Sequence, residues 1–152
     1  MIHWGGEKGS RAGALHLFNN TIIGKSNRTL FVVTQFADCR VYIKNNVFIG
    51  SGKLWNNVGY ISGSNNWFSK KIIVPSSKLF GRKGYNPGFF TKFDIPFFPH
   101  AGSYLKNRGT RQIPLRVSYM PSKNVVKRIL KRPSDGFIDI GAYEFFRTSK
   151  KN

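Results

Sequence analysis

A repeated unit centred on two adjacent asparagines constrains the fold of this chain more than any other feature. Residues 15–24 (LHLFNNTIIG) and 41–50 (VYIKNNVFIG) align without a gap at an offset of 26 residues. A third, weaker copy at residues 60–69 (YISGSNNWFS) follows at an offset of 20 residues. Self-similarity at a period of about 20–50 residues is typical of proteins in which successive units stack on one another. The repeat therefore predicts a stacked architecture.

Each copy has the pattern of a strand, a tight turn and a second strand. Apolar residues alternate with other residues before the Asn-Asn pair, and a short apolar stretch follows it. Asparagine suits the turn because it tolerates a left-handed backbone, which we expect at Asn46 and its equivalents. In copies stacked about 4.8 Å apart, these side chains would hydrogen-bond along the stack. We therefore predict a structural turn ladder of Asn20, Asn46 and Asn66, and an interior lined by Leu15, Leu17, Ile22, Val41, Ile43 and Phe48.

The length of the repeat favours one all-β architecture over another. A unit of 20 to 26 residues has room for about three short strands and three turns, which is one coil of a parallel β-helix. Residues 30–34 (LFVVT) supply a further strand between the first two copies. A β-sandwich with two similar antiparallel hairpins is the alternative, although nothing would make its hairpins share the Asn-Asn and glycine positions. We predict β-helix coils over residues 1–70 and a closing segment over 71–152, within one structural domain.

Three motifs in the closing segment give a resemblance to a known group. They are residues 86–90 (NPGFF), 102–110 (GSYLKNRGT) and 139–144 (DIGAYE), in that order. Together with the N-N-x-[IF]-x-G units they resemble the C-terminal end of bacterial right-handed parallel β-helix proteins of the pectate-lyase-like kind. The resemblance implies about three right-handed coils, an irregular close, an association with carbohydrate, and a secreted or cell-surface location.

The closing motif is expected to be structural. Asp139 suits the satisfaction of turn amides, Gly141 permits close backbone approach, and Tyr143 suits packing against the last coil, with Glu144 completing the motif. The chain departs from the resembled pattern between residues 110 and 139, where a basic stretch replaces an acidic one. Residues 122–132 (SKNVVKRILKR) lie between two prolines and have apolar residues at helical spacing, so they predict one short amphipathic helix.

The charge of the chain points to anionic partners without selecting one. Twenty-five Lys and Arg against six Asp and Glu give a net charge of +19, most of it in the second half. Such a field attracts acidic polysaccharide and nucleic acid alike. Strand alternation places four side chains on one outward face, where aromatic rings and a cation would suit stacking on sugars, namely His16, Phe18, Tyr42 and Lys44. An ordinary solvated sheet face is the alternative for this stripe.

The sequence predicts no catalytic residue, metal or cofactor. The six acids and three histidines are dispersed, without paired-carboxylate or metal-ligand spacing, and Cys39 is the single cysteine. No apolar run approaches the roughly 20 residues of a membrane span, and the first residues lack the apolar core of a signal peptide. Because residues 1–13 are too short to cap a stack of coils, we expect upstream coils from the same or a split gene.

Three hypotheses of function follow. The leading one is a carbohydrate-associated β-helix fragment that binds or presents acidic polysaccharide and is not an enzyme by itself. The second is the C-terminal end of a polysaccharide lyase or epimerase with its active coils upstream. The third, a basic nucleic-acid-binding protein, depends on charge alone.

Overall fold

The protein is all-β over the part of the chain that the structure describes. This computed structural model describes residues 1–5, 13–75, 79–89, 97, 99–110, 137 and 139–142, and over these residues it contains strands and turns but no helix. The all-β prediction is therefore confirmed for these ranges. The short helix predicted at residues 122–132 lies outside the described residues.

The strands form two sheets that the chain enters alternately. The first sheet has the spatial order β1 (Ile2–Trp4), β4 (Thr29–Thr34), β7 (Gly52–Trp55) and β9 (Ile72–Ile73). The second sheet contains β2 (Gly13–Phe18), β5 (Cys39–Lys44), β8 (Tyr60–Ser69), β6 (Val47–Ile49) and β3 (Thr21–Ile23), with β10 (Leu79–Gly84) paired to β8. The long strand β8 pairs with β5 through its first half and with β6 through its second half. The second sheet thus consists of two adjoining sets of stacked strands.

The pairing of these strands is parallel, and its register equals the sequence repeat. Leu15 lies opposite Val41, and Val41 lies opposite Ile61. These pairs have the offsets of 26 and 20 residues that relate the three copies. Residues 15–24 and 41–50 therefore do not form the antiparallel hairpins of the β-sandwich alternative. The predicted strand at residues 30–34 is confirmed as part of β4.

The apolar residues of both sheets meet in one buried cluster. Val41 and Ile43 from β5 and Phe31 from β4 are essentially inaccessible to solvent. Phe48 stacks on Phe68 with ring centroids 5.3 Å apart, and Phe31 meets Phe48 edge-on at 5.7 Å. Such pairs add to the stabilisation from area burial. The predicted interior is confirmed, with its first-repeat members Leu15, Leu17 and Ile22 partly buried against this cluster.

In the Asn-Asn turn, the residue that adopts the left-handed backbone is not the predicted one. Positive φ angles of 55°, 54° and 55° occur at the first asparagine of each pair, Asn19, Asn45 and Asn65. The expectation of a left-handed Asn46 is wrong. The first asparagine turns the chain, which leaves the second one to hydrogen-bond to its stacked neighbours.

The second asparagines are joined from one repeat to the next. The backbone N–H and the Nδ2 of Asn20 donate to Oδ1 of Asn46 at 2.9 and 3.0 Å. The same two groups of Asn46 donate to Oδ1 of Asn66 at 2.9 and 3.0 Å. Asn46 Nδ2 also donates to the Leu17 carbonyl at 2.7 Å. Because Asn46 and Asn66 are buried, these bonds satisfy polar groups that water cannot reach.

Residues 103–110 and 139–142, here called the covering segment, lie against the outer side of β6 and β8. Val47 and Trp67 alternate with the inward Phe48 and Phe68, and they pack in a second cluster with Leu105 and Ile140 of the covering segment. This cluster is as well buried as the first, with Trp67 2% and Ile140 1% exposed. One half of the outer face is therefore closed by the C-terminal part of the chain.

Two residues of the closing motif hold the covering segment in place. Asp139 is buried, and its Oδ1 accepts a hydrogen bond of 2.6 Å from the Asn107 N–H. Gly141 has φ 104° and donates its N–H to the Asn45 carbonyl at 2.7 Å. A Cβ at Gly141 would lie 2.9 Å from Thr21 Oγ1, so only glycine permits this approach. Tyr143 and Glu144 of the same motif lie outside the described residues.

Candidate ligand-binding face

The other half of the outer face, over β2, β5 and the first half of β8, carries the residues predicted to bind a ligand. Parallel pairing aligns His16 with Tyr42, and Phe18 with Lys44. The next residues in these two rows are Ser62 and Ser64 of β8. The position of each side chain follows from strand alternation, since the residues between them face the core. We call His16, Phe18, Tyr42 and Lys44 the aromatic stripe.

Three members of the aromatic stripe are in direct ring contact. The rings of His16 and Tyr42 are nearly parallel, with centroids 5.1 Å apart and an interplanar angle of 10°. The ring of Phe18 lies 5.5 Å from that of His16 at 54°. Lys44 is adjacent to Phe18 through the register of the two strands. The structure therefore assembles these four residues, which are 28 positions apart at most, into one half-buried surface.

His16 has an unsatisfied polar atom within this surface. Its Nδ1 is buried and has no hydrogen-bond partner among the described residues. A buried polar atom without a partner costs about 1–3 kcal/mol, and this cost falls on the first of the three copies.

A depression of about 460 Å³ adjoins the aromatic stripe at Tyr42. Its other lining residues are Ala37, Asp38, Arg40 and Tyr60. Arg40 and Tyr60 are register partners on neighbouring strands, and both are exposed. The volume lies within the usual range for small-ligand sites, about 300–1,000 Å³. The depression thus offers a guanidinium, a carboxylate and two phenols beside the stacked rings.

Arg40 and Tyr60 were not identified from the sequence, although the repeat contains the signal for both. Arg40 precedes Tyr42 by two residues, so strand alternation places it on the same face. Tyr60 follows Arg40 at the offset of 20 residues that relates the second and third copies. The outward-facing residues of β5 and β8 thus extend beyond the four residues of the aromatic stripe to Arg40 and Tyr60.

The acidic side chains of the described residues occupy two different places in the fold. Two acids lie within the described ranges, and Asp139 is buried under the covering segment, whereas Asp38 lines the depression. No group of three or more His, Cys, Asp or Glu side chains suited to a metal ion occurs among the residues described.

In the same ranges, no helix is long and apolar enough to cross a membrane.

Comparison of the chain with protein-family models, with curated proteins and with solved structures finds no match. The site therefore has to be interpreted from its own residues.

Proposed function

We propose that this chain is part of a right-handed parallel β-helix that binds acidic polysaccharide along the aromatic stripe and the adjoining depression. The β-helix is supported by the alternation of the chain between two parallel sheets, with each return adding one strand beside the previous one. The equality of the register and the sequence repeat supports it further. The resemblance to pectate-lyase-like proteins is in keeping with both statements.

The single observation that carries the carbohydrate proposal is the stacked pair of His16 and Tyr42 on an open sheet face next to two cations. Aromatic rings present broad apolar surfaces on which the C–H face of a sugar ring can lie. Arg40 lines the depression next to Tyr42, and its planar guanidinium matches a uronate carboxylate in two parallel hydrogen bonds. The combination of ring surface and positive charge favours an acidic sugar over a neutral one.

A further β-helix coil from the same or a split gene is the proposed protein partner. Strands β1, β2 and β3 lie at the ends of their sheet orders, so their outer edges have no strand partner among the described residues. Three buried polar atoms in the described part lack hydrogen-bond partners, and all lie on these first strands or directly after them: Trp4 Nε1, His16 Nδ1 and Asn19 Oδ1. Unpaired edges of this kind are templates for strand addition. If such coils carry the active residues of a lyase or epimerase, this chain forms the C-terminal end of that enzyme.

Affinity electrophoresis at low salt against polygalacturonate, alginate and a heparin-like polymer tests the carbohydrate proposal. We expect retardation by at least one of these polymers. Tyr42→Ala should weaken the binding by about tenfold, since it removes the ring under His16, whereas Tyr42→Phe should retain it. Lys53→Ala, at an exposed position of the other sheet, is the matched control and should leave binding unchanged.

Two results would contradict the proposal. One is the absence of binding to all three polymers at low salt. The other is a preference for single-stranded DNA that falls steeply with salt and is insensitive to Tyr42→Ala, which would favour the nucleic-acid function instead.

A further inference from the structure

A second cationic and aromatic cluster lies where β10 meets the covering segment. The guanidinium carbon of Arg82 lies 4.5 Å from the centroid of the Tyr104 ring, and that of Arg108 lies 4.4 Å from the same centroid. One phenol ring is therefore shared by two guanidinium groups. A cation within about 6 Å of an aromatic ring is attracted by it, and this attraction offsets part of the repulsion between the two cations.

Each member of this cluster is positioned by a different part of the fold. Arg82 belongs to β10, where it pairs in register with Trp67 of β8. The Arg108 carbonyl accepts a hydrogen bond from Nδ2 of Asn65, one of the left-handed turn residues. The Tyr104 N–H donates to the Pro87 carbonyl at 3.1 Å, and its ring packs against the cluster around Trp67. The backbones of Arg82 and Arg108 are thus held by the sheet and by the turns, which limits the backbone entropy lost on binding.

The positive charge of the cluster is uncompensated over the described residues. Arg82 and Arg108 are both exposed, and no described carboxylate forms an ion pair with either. Asp139, the described acid of the covering segment, is 1% exposed and accepts the Asn107 N–H. Lys83, the neighbour of Arg82, is also exposed. Two guanidinium forks near one ring provide planar N–H donors suited to oxygen atoms that carry negative charge.

We propose that Arg82, Tyr104 and Arg108 form a binding site for a doubly charged tetrahedral oxyanion, a sulfate or phosphate group. The Tyr104 ring holds both guanidinium groups within cation–π distance, and their N–H groups would donate to the anion. The anion places two negative charges beside two positive ones and so relieves their mutual repulsion. Lysine would supply the charge but neither the planar fork nor the stacking on the ring.

The oxyanion has two possible sources with the same chemistry, a free ion or the sulfate group of a glycan. The cluster lies on β10 and the covering segment, so it shares no residue with the aromatic stripe, and the free-ion case is independent of the carbohydrate proposal. The glycan case rests on that proposal. It also has structural support. The Arg108 carbonyl accepts a hydrogen bond from Asn65, and Asn65 directly follows Ser64, which lies in the row of Phe18 and Lys44.

Titration with sodium sulfate, with sodium chloride added to hold the ionic strength constant, tests the site by NMR of the arginine side chains. We expect saturable shifts of Arg82 and Arg108. The Arg82→Lys and Arg108→Lys double variant should weaken sulfate binding by about tenfold although the net charge is unchanged. Arg28→Gln combined with Lys53→Gln, which lowers the net charge by two at exposed positions elsewhere, should leave the affinity unchanged within about twofold.

Tyr104 gives a second pair of variants. Tyr104→Phe keeps the ring and should bind sulfate as the unmodified chain does, whereas Tyr104→Leu should weaken binding with a retained fold, which the amide spectrum would verify. Non-saturable shifts, or equal losses in the lysine variant and in the distant control, would overturn the site in favour of a diffuse charge effect.

A comparison of glycans separates the two sources. If heparin-like polymer loses affinity in the Arg82→Lys and Arg108→Lys variant while polygalacturonate does not, the glycan sulfate is the ligand. If free sulfate alone responds to the variant, the free ion is the ligand. Absence of saturable sulfate binding by the unmodified chain, with polygalacturonate binding present, overturns this inference and leaves the carbohydrate proposal intact, and the converse result overturns only the carbohydrate proposal.

Discussion

The same repeat produces both halves of the outer face of the second sheet, but one half is buried and the other is partly exposed to solvent. Over β6 and the second half of β8, the outward residues Val47 and Trp67 are apolar, and the covering segment buries them. Over β2, β5 and the first half of β8, the outward residues are aromatic, polar or charged, and the described residues leave them open to solvent to varying degrees. The Asn-Asn turns form the boundary between these halves. The comparison indicates that outward composition decides which part of a stacked fold is closed and which remains available for a ligand.

The largest expected effect comes from removing the central side chain of the covered half. Trp67→Ala should lower the free energy of unfolding by about 3–5 kcal/mol, because Trp67 is 2% exposed and its loss leaves a cavity under Leu105 and Ile140. Urea denaturation measures the change. Hydrogen exchange of the Ile140 amide, which donates to the Leu105 carbonyl, should accelerate more than that of β5.

Ser62→Ala is the matched change on the open half and should alter stability by no more than about 0.5 kcal/mol. A similar cost for both variants would contradict the distinction between a covered and an open half.

The boundary between the halves gives an intermediate effect. Asn46→Ala should cost about 2–4 kcal/mol in unfolding free energy, because it removes the Oδ1 acceptor of two Asn20 groups and the Nδ2 donor to the Leu17 carbonyl and to Asn66 Oδ1. Asn45→Gly, at the left-handed position, should cost about 1 kcal/mol, since glycine accepts that backbone and only side-chain bonds to Thr110 and Asn65 are lost.

Thermal or chemical denaturation of both variants checks the ranking. If Asn45→Gly proves the more damaging change, the attachment of the covering segment through Thr110 matters more than the ladder of second asparagines.

The smallest effect on stability is expected at Lys44 of the open half. Lys44→Gln should change the free energy of unfolding by less than about 0.5 kcal/mol, because Lys44 is only half-buried and belongs to neither buried cluster. The same variant should reduce retardation by polygalacturonate and make its loss with salt shallower, because one cation fewer contacts the polymer. A destabilisation comparable with that of Asn46→Ala would mean that Lys44 contributes to the fold more than to the open face.

The register and the core could be predicted from the sequence because the repeat encodes both. Gap-free copies fix which residues are equivalent, and alternation then assigns Val41 and Ile43 to the interior. Two adjacent asparagines, in contrast, do not reveal which one turns left-handed, since both tolerate that conformation. Strand β10 lacks an Asn-Asn pair and has a register irregularity between Leu79 and Gly81, so the repeat gave no sign of it.

The Arg82–Tyr104–Arg108 cluster could not be predicted from local pattern. Its members belong to a strand without repeat character and to a turn-rich segment, and they meet only because the covering segment folds back on β8 and β10. The aromatic stripe was predictable because its contacts run between equivalent positions of neighbouring copies. Contacts within the repeat are thus readable from sequence, and contacts across its closing segment are not.

The unequal spacing of the copies, 26 residues and then 20, has a consequence for how such a chain can change over evolutionary time. Part of the longer spacing lies between β3 and β4, where residues 25–28 form an exposed turn, whereas only residues 50–51 separate β6 from β7. Because the turn lies outside the paired strands, extra residues there leave Leu15 over Val41 and Asn20 over Asn46. Insertions and deletions can therefore accumulate in this turn while equivalent side chains of successive copies stay in register.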